Sequence, residues 1–467
     1  MFLNARKSWA FVLASAWLVV PSSLRSQEKL PTEDPQVAEY FKTKKWKVRL
    51  VPMPDGTKAA QLDTANQALT DDDFKVIGKS KSVQLISFSA REVTDEAYKA
   101  IGGMGQLEYL FIFGGGMTDT GLNAVANCAK LKMLSGSASE VTDEGLKPLG
   151  GLKNLTKLRL VGGGFTGTGF AAFAEAKELK ELQLALCNQL TDDGAKAIAG
   201  LPSLQSLEMD GSSKQLTSAG IAAIAAKRLP PKFRFPNSLL DDELFADLVK
   251  KGWLYGPGSP DTDKPATADK LKQIDISRSK VTDKGMKAVA DCANVEYLFA
   301  DNSGIGDGTL KQFAAHKKLK YLILEETKVT AAGLEELAVC PLEKLTIYRT
   351  DLSDDMCKAV GKIAALKELT LTNSKLGATG AKHFATLPNL KELTFAYTDF
   401  TDDSAKALAG QPALQVICVN YTELTDAGFQ ELLKLPKLKS IEMYGTKVKK
   451  ETIEKAKKDY PKLSISS

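Results

Sequence analysis

The sequence predicts an α/β solenoid, with a parallel β-sheet on its concave face and a layer of short helices on its convex face. Three observations carry this expectation. A hydrophobic-Thr-Asp phrase, completed as x-Gly-hydrophobic in four of six copies, recurs along the chain, at Val93-Thr94-Asp95, Met117-Thr118-Asp119, Val141-Thr142-Asp143, Val281-Thr282-Asp283, Phe400-Thr401-Asp402 and Leu424-Thr425-Asp426. Thr70, Thr94, Thr118 and Thr142 stand 24 residues apart, as do Thr401 and Thr425. A fixed period of roughly 20 to 29 residues is the mark of stacked units that bury their apolar faces against one another. The 467 residues also exceed what one ordinary core covers, yet composition changes little along them. Finally, each period holds a short alternating apolar run followed by an i, i+3 apolar pattern, which reads as one strand and one helix.

The elements follow in order. Arg6 and Lys7 precede an apolar stretch from Trp9 to Val20, followed by Pro21, Ser22 and Ser23, the pattern of an export signal over residues 1–26. That stretch is shorter than the roughly 20 apolar residues that span a bilayer, so no stable membrane span is expected once it is removed. Its removal takes Arg6, Lys7 and Arg25 but no acid, lowering the formal charge from +5 to +2. Such a balance calls for neither nucleic acid nor an anionic membrane. The expected location is exported: periplasmic, cell-surface or secreted. Residues 27–58 read as an N-terminal cap, with Trp46 to Val51 and then Pro54, Asp55 and Gly56 suggesting a hairpin. The basic cluster Lys42, Lys44, Lys45, Lys47 and Arg49 reads as a solvated strand face at the edge of the first unit.

A first array covers residues 59–255 and a second covers 271–467, including a C-terminal cap. In a representative unit Leu369 and Leu371 point to one face of a strand, while Glu368, Thr370 and Thr372 point to the other. The same frame fits Leu155-Leu158-Leu160, Leu342-Leu345-Ile347, Leu390-Leu393-Phe395 and Leu438-Ile441-Met443. The Thr or Asp of the phrase is placed to cap the N–H groups that open a short helix. Between the arrays, a Pro/Gly/Asp-rich stretch at 256–270 reads as a linker or insertion loop.

This pattern resembles the leucine-rich repeat family, whose units stack into a horseshoe. The run Leu182, Leu184, Cys187, Leu190, Thr191 and Asp192 is closest to its cysteine-containing subclass, of the exported bacterial type. Elsewhere the Asn/Cys position of that subclass is Ser or Thr, as at Ser279, Ser303, Thr350, Ser374, Thr398, Thr422 and Thr446, or Gly at Gly115 and Gly163. A hydroxyl satisfies turn backbone groups as Asn does, more weakly. About sixteen units are expected.

Little in the chain suggests catalysis. Its two histidines, His316 and His383, both fall on the helix side and lack metal-ligand spacing. The Thr-Asp carboxylates recur in unit after unit, whereas a catalytic acid is placed once. Ile77-Gly78-Lys79-Ser80 imitates a phosphate loop, but there a helix precedes the glycine and a strand follows, the reverse of the required order. Gly162, Gly163, Gly164, Gly167 and Gly169 imitate a dinucleotide fingerprint but fall in a strand-to-helix turn. Cys128, Cys292 and Cys340 share one repeat position and are too far apart to pair across the stack, so free thiols are expected. No cofactor and no metal is called for, and the chain reads as a non-enzymatic scaffold.

Function is then expected where the units differ, on the outward strand positions. Tyr109, Phe111 and Phe113 share one strand; Tyr297 and Phe299 share another; Tyr321 and Glu325 lie on the next. These seven are the candidate ligand-binding residues, as exposed aromatics on a strand face make binding anchors. The expected partner is a protein, with a glycan or cell-surface component as the alternative for a structural or adhesin-like role.

Overall fold

The computed structural model describes residues 32–467 apart from 54, 55, 212, 228, 229, 231, 252–270, 351 and 376; the expected export signal and the 256–270 insertion lie outside the described residues. One sheet runs in chain order through β1 (Lys47–Pro52), β2 (Lys58–Asp63), β3 (Leu85–Ser89), β4 (Tyr109–Phe113), β5 (Met133–Ser137), β6 (Lys157–Val161), β7 (Glu181–Ala185), β8 (Ser206–Asp210) and β9 (Lys232–Arg234). A second runs through β10 (Gln273–Asp275), β11 (Tyr297–Phe299), β12 (Tyr321–Glu325), β13 (Lys344–Tyr348), β14 (Glu368–Thr372), β15 (Glu392–Thr394), β16 (Val416–Cys418), β17 (Ser440–Glu442) and β18 (Ser464–Ser466). β1 and β2 form an antiparallel hairpin, and every later pairing is parallel and in register from unit to unit. An α-helix or 3₁₀ turn follows each strand from β3 to β17, giving the expected one-strand, one-helix unit. The inward strand residues, such as Leu158, Leu160, Leu369 and Leu371, join the helix faces in one continuous apolar core running from Val37 to Ile465.

The Thr-Asp phrase does two jobs. Its Thr caps its own helix, as where Thr94 accepts from the Glu96 amide and Thr118 from the Gly121 amide. Its Asp reaches forward to the next unit. Thr142 donates its amide and hydroxyl to the Asp119 carboxylate at 2.7 and 2.6 Å, and Thr425 does the same to Asp402 at 2.8 and 2.6 Å. Charge-assisted bonds of this kind contribute about 1.5–3 kcal/mol each when shielded and less at a wet rim. The glycine of the phrase follows from the same contact. A Cβ on Gly145 would stand 2.2 Å from Asp119 Oδ1, and one on Gly428 would stand 2.4 Å from Asp402 Oδ1. In two units whose predecessor lacks the carboxylate a large side chain stands at the glycine position, Leu244 after Ser218 and Met356 after Ala331, whereas Gly194 after Gly167 and Ser404 after Ala378 stay small.

The hydroxyl column also closes the turns. Ser303, Thr398 and Thr422 donate to the carbonyls of Ala300, Phe395 and Val419 at 2.6, 2.7 and 2.7 Å. Just before it, a residue in the left-handed region turns the chain away from the strand. Leu186, Arg278, Asn302, Glu326, Arg349, Asn373, Tyr397 and Tyr421 hold φ between 45° and 58° there, a conformation that costs a side chain about 1–2 kcal/mol.

Between the two sheets the helix side stacks without a change of bonding. Asp242 accepts from the Thr282 amide and hydroxyl, both at 2.7 Å, the same contact that links neighbouring units elsewhere. Lys280 N donates to Leu240 O, and Asn237 Nδ2 to Ser277 O. The first unit is shielded by the helix Pro35–Thr43, where buried Asp73 accepts from the Tyr40 hydroxyl and pairs with Lys44 at 2.7 Å. Ser80 of the phosphate-loop look-alike is bonded to Glu33, and the Lys81 amide donates to the same carboxylate at 2.8 Å. All six cysteines are free thiols. His316 is buried and stacked on Phe313, while His383 pairs with Asp354.

Candidate functional site

Because helices back only one side of each sheet, the outward strand residues lie on a helix-free face. Their register sorts them into columns. One runs Tyr297, Tyr321, Lys344, Glu368, Glu392 and the next Phe299, Ile323, Thr346, Thr370, Thr394. Three of the seven candidates, Tyr297, Phe299 and Tyr321, meet on β11 and β12, and a fourth, Glu325, ends β12. Tyr321 lies edge-to-face against both Tyr297, with centroids 6.3 Å apart, and Phe299, at 5.5 Å. Such pairs order the rings at little entropic cost. Tyr297 is exposed and Phe299 and Tyr321 are half-buried. Glu325 is engaged by Arg349, 3.4 Å away.

Carboxylates crowd this patch. Burial pushes the Asp275 carboxyl above its ordinary range, bonds from Ser277 oppose the rise, and the charge of Asp301 adds to it. Burial likewise raises the Tyr348 phenol, helped by Tyr321 and Glu325. Lys344 places its ammonium 5.0 Å from the Tyr321 ring centroid and 2.7 Å from Glu368. Among the described residues, no group of three His, Cys, Asp or Glu comes together as metal ligands.

The other three candidates lie in the first sheet, away from this patch. Tyr109 is not an exposed anchor: it is only 5% exposed and packs with Ala59 and Leu85 in a small second apolar cluster. Val51, Met53, Phe111 and Met133 close over it from the cap hairpin and the neighbouring strands. The outward position alone did not reveal this, since four apolar neighbours on the same face hide the ring. Phe111 belongs to that cluster, and Phe113, at the strand end, is 44% exposed.

Two tyrosines escaped the strand register altogether. Tyr397 and Tyr421, one repeat apart at left-handed turn positions, are 52% and 54% exposed. Their rings stack at 4.5 Å and 10°. A Cβ on Gly445, at the next equivalent position, would stand 2.5 Å from the Tyr421 ring. The signal was present in the sequence as two tyrosines 24 residues apart where neighbouring units carry Asn, Arg or Gly.

Comparison with known proteins bears on the repeat. A model described as a leucine-rich repeat matches residues 178–199 and 269–290. No curated protein matches the chain in sequence. Among solved structures, an internalin from Listeria monocytogenes is 16% identical, with 87% of this chain and 94% of that one covered and a TM-score of 0.37. A leucine-rich repeat protein of Leptospira interrogans is 16% identical, with 86% and 95% covered and a TM-score of 0.42. A plant peptide hormone receptor in complex with RGF2 is 14% identical, with 84% and 75% covered and a TM-score of 0.35. At these values the likenesses say nothing of function, and the fold rests on the unit and the parallel register described above. Among the described residues no helix is long and apolar enough to cross a membrane.

Proposed function

We propose that this leucine-rich repeat solenoid is an exported scaffold that recognises another protein through the helix-free face of its second sheet, and that it is not an enzyme. The observation that carries the reading is the ordered aromatic cluster Tyr297, Phe299 and Tyr321 on a face that no helix covers. Aromatic anchors that are already packed lose little freedom on binding, and they dominate the energetics of protein interfaces. The non-catalytic reading draws on the repeated carboxylates, which are spent on holding the next unit. Export draws on residues 1–26 alone. Replacing Phe299 and Tyr321 together by Ser tests the recognition face. Capture of a partner from native extract is expected to be lost while far-ultraviolet circular dichroism is unchanged; capture that survives the change overturns the reading.

A second reading, a structural or adhesin-like envelope protein that binds glycan, draws on the Tyr397–Tyr421 stack. Exposed and pre-ordered phenol rings suit contact with the apolar face of a sugar. A glycan array probed with the native chain and with Tyr397→Ala/Tyr421→Ala tests it: a signal that the double substitution removes supports glycan binding.

A further inference from the structure

Charge on the helix-free face is segregated between the two sheets. Outward positions of β1–β9 carry six basic side chains against four acidic ones. Those of β10–β18 carry the carboxylates of Asp275, Glu325, Glu368, Glu392 and Glu442 against the single ammonium of Lys344. The strand positions of the second sheet are therefore acidic although the whole chain is formally +5; on the flanking turns Arg349 pairs with Glu325 and Glu326, and Asp301 adds a further carboxylate. Resting on the reading above, we propose that the occupant of this face is an extended segment of a partner protein rich in Lys and Arg. It lies across β11–β15, with a basic side chain against the Tyr297, Phe299 and Tyr321 rings and others along the acidic columns.

The chain already contains this contact in miniature. Lys344 rests against the Tyr321 ring while paired to Glu368, a combination of ring and carboxylate that the register also places side by side at Phe299 and Asp275. Cations favour aromatic faces, more so where water is displaced. Burial holds the Asp275 carboxyl above its ordinary range, with the Asp301 charge adding to the rise and Arg278 opposing it, and an added positive charge favours its ionised form. The length also matches: four strand spacings of about 4.8 Å span roughly 19 Å, the reach of an extended segment of about six residues at 3.3 Å each.

A fluorescein-labelled hexapeptide of alternating Lys and Arg, titrated by anisotropy into the full chain at low ionic strength, tests the proposal, with hexaglutamate as the opposite-charge control. Binding of the basic peptide is expected to weaken about tenfold in Asp301→Asn/Glu392→Gln and in Phe299→Ser. It is expected to be unchanged in the helix-side control Glu96→Gln/Glu144→Gln. No binding of the basic peptide, equal weakening by the helix-side control, or tighter binding of hexaglutamate overturns the proposal. Native partner capture separates the two claims. Capture that survives Asp301→Asn/Glu392→Gln but is lost in Phe299→Ser/Tyr321→Ser overturns the cationic partner and leaves the recognition face standing; capture that survives both overturns the face itself.

Discussion

Asp283 offers the sharpest test of the forward-reaching carboxylate. It accepts from the amides of Gly306, Gly308 and Thr309 at 2.8, 3.1 and 3.0 Å and from the Thr309 hydroxyl at 2.6 Å. Those donors open the helix Asp307–Ala314, where Gly306 occupies the N-cap without a side chain to cap it. Asp283→Ala removes all four bonds at once. Each such bond contributes about 1.5–3 kcal/mol when shielded, but they share one carboxylate and water reaches the freed amides at this half-buried rim. The expected loss is therefore about 2–4 kcal/mol and not the sum. Asp283→Asn keeps the Oδ1 acceptor for three of the donors and loses the charge, for about 1 kcal/mol.

Repeat arrays unfold in parts, so local hydrogen exchange at residues 305–314 reads the effect more directly than a global melt. Exchange there is expected to accelerate about thirtyfold to several hundredfold in Asp283→Ala. Acceleration of less than about threefold would refute the strut. The pH dependence follows from the direction of the shift. Burial pushes the Asp283 carboxyl up, but bonds from the Thr309 hydroxyl and the three amides outweigh it and hold the group below its ordinary range. Its contribution is then fully present above the unfolded value of about 3.9 and is lost as pH falls through the lower folded value. The difference between Asp283→Ala and the native chain should therefore shrink below about pH 4.

Three further outcomes follow from the same geometry. Gly428→Leu, which drives a side chain into Asp402, should destabilise by roughly 1–3 kcal/mol in urea unfolding; restoring Gly at the site of Met356, where Ala331 precedes, should bring no matching gain in polar contact. Thr422→Val keeps shape but orphans the Val419 carbonyl, for about 1 kcal/mol by the same measurement; a neutral result would remove the hydroxyl column from the account. Burial pushes the thiols of Cys128, Cys187 and Cys357 up to about 12 and that of Cys340 to about 11. Those four thiols should resist a thiol reagent at pH 8 in the native chain and react on denaturation; rapid native labelling of Cys128 would contradict that.

The fold was legible because its unit is short and repeated. Once Thr94, Thr118 and Thr142 set the frame, the strand face of Leu158 and Leu160 and the hydroxyl at Thr398 followed from position alone. What position could not show was contact between units. Asp119 reads as a capping acid until the structure places it against Thr142 of the next unit, because a bond 23 residues away leaves no mark within its own helix. The site was legible in half. Tyr297, Phe299 and Tyr321 do meet, since adjacent parallel strands in register bring equal positions together, while Glu325 at the far end of β12 pairs with Arg349. Tyr109 was misplaced because exposure depends on neighbours, and Leu85, Met133 and the cap residues Val51 and Met53 cover it. Tyr397 and Tyr421 lie on turn residues, outside the alternation that marks outward side chains.

The shared phrase holds the stack together, and recognition is proposed for the varied strand residues. The most direct test measures partner capture per folded molecule for Asp402→Ala and for Phe299→Ser/Tyr321→Ser at a temperature where circular dichroism shows both folded. Asp402→Ala should lower stability by about 2 kcal/mol and leave capture intact, whereas the aromatic pair should abolish capture and leave stability within about 1 kcal/mol of native. Loss of capture in Asp402→Ala with retention in the aromatic pair would contradict the account.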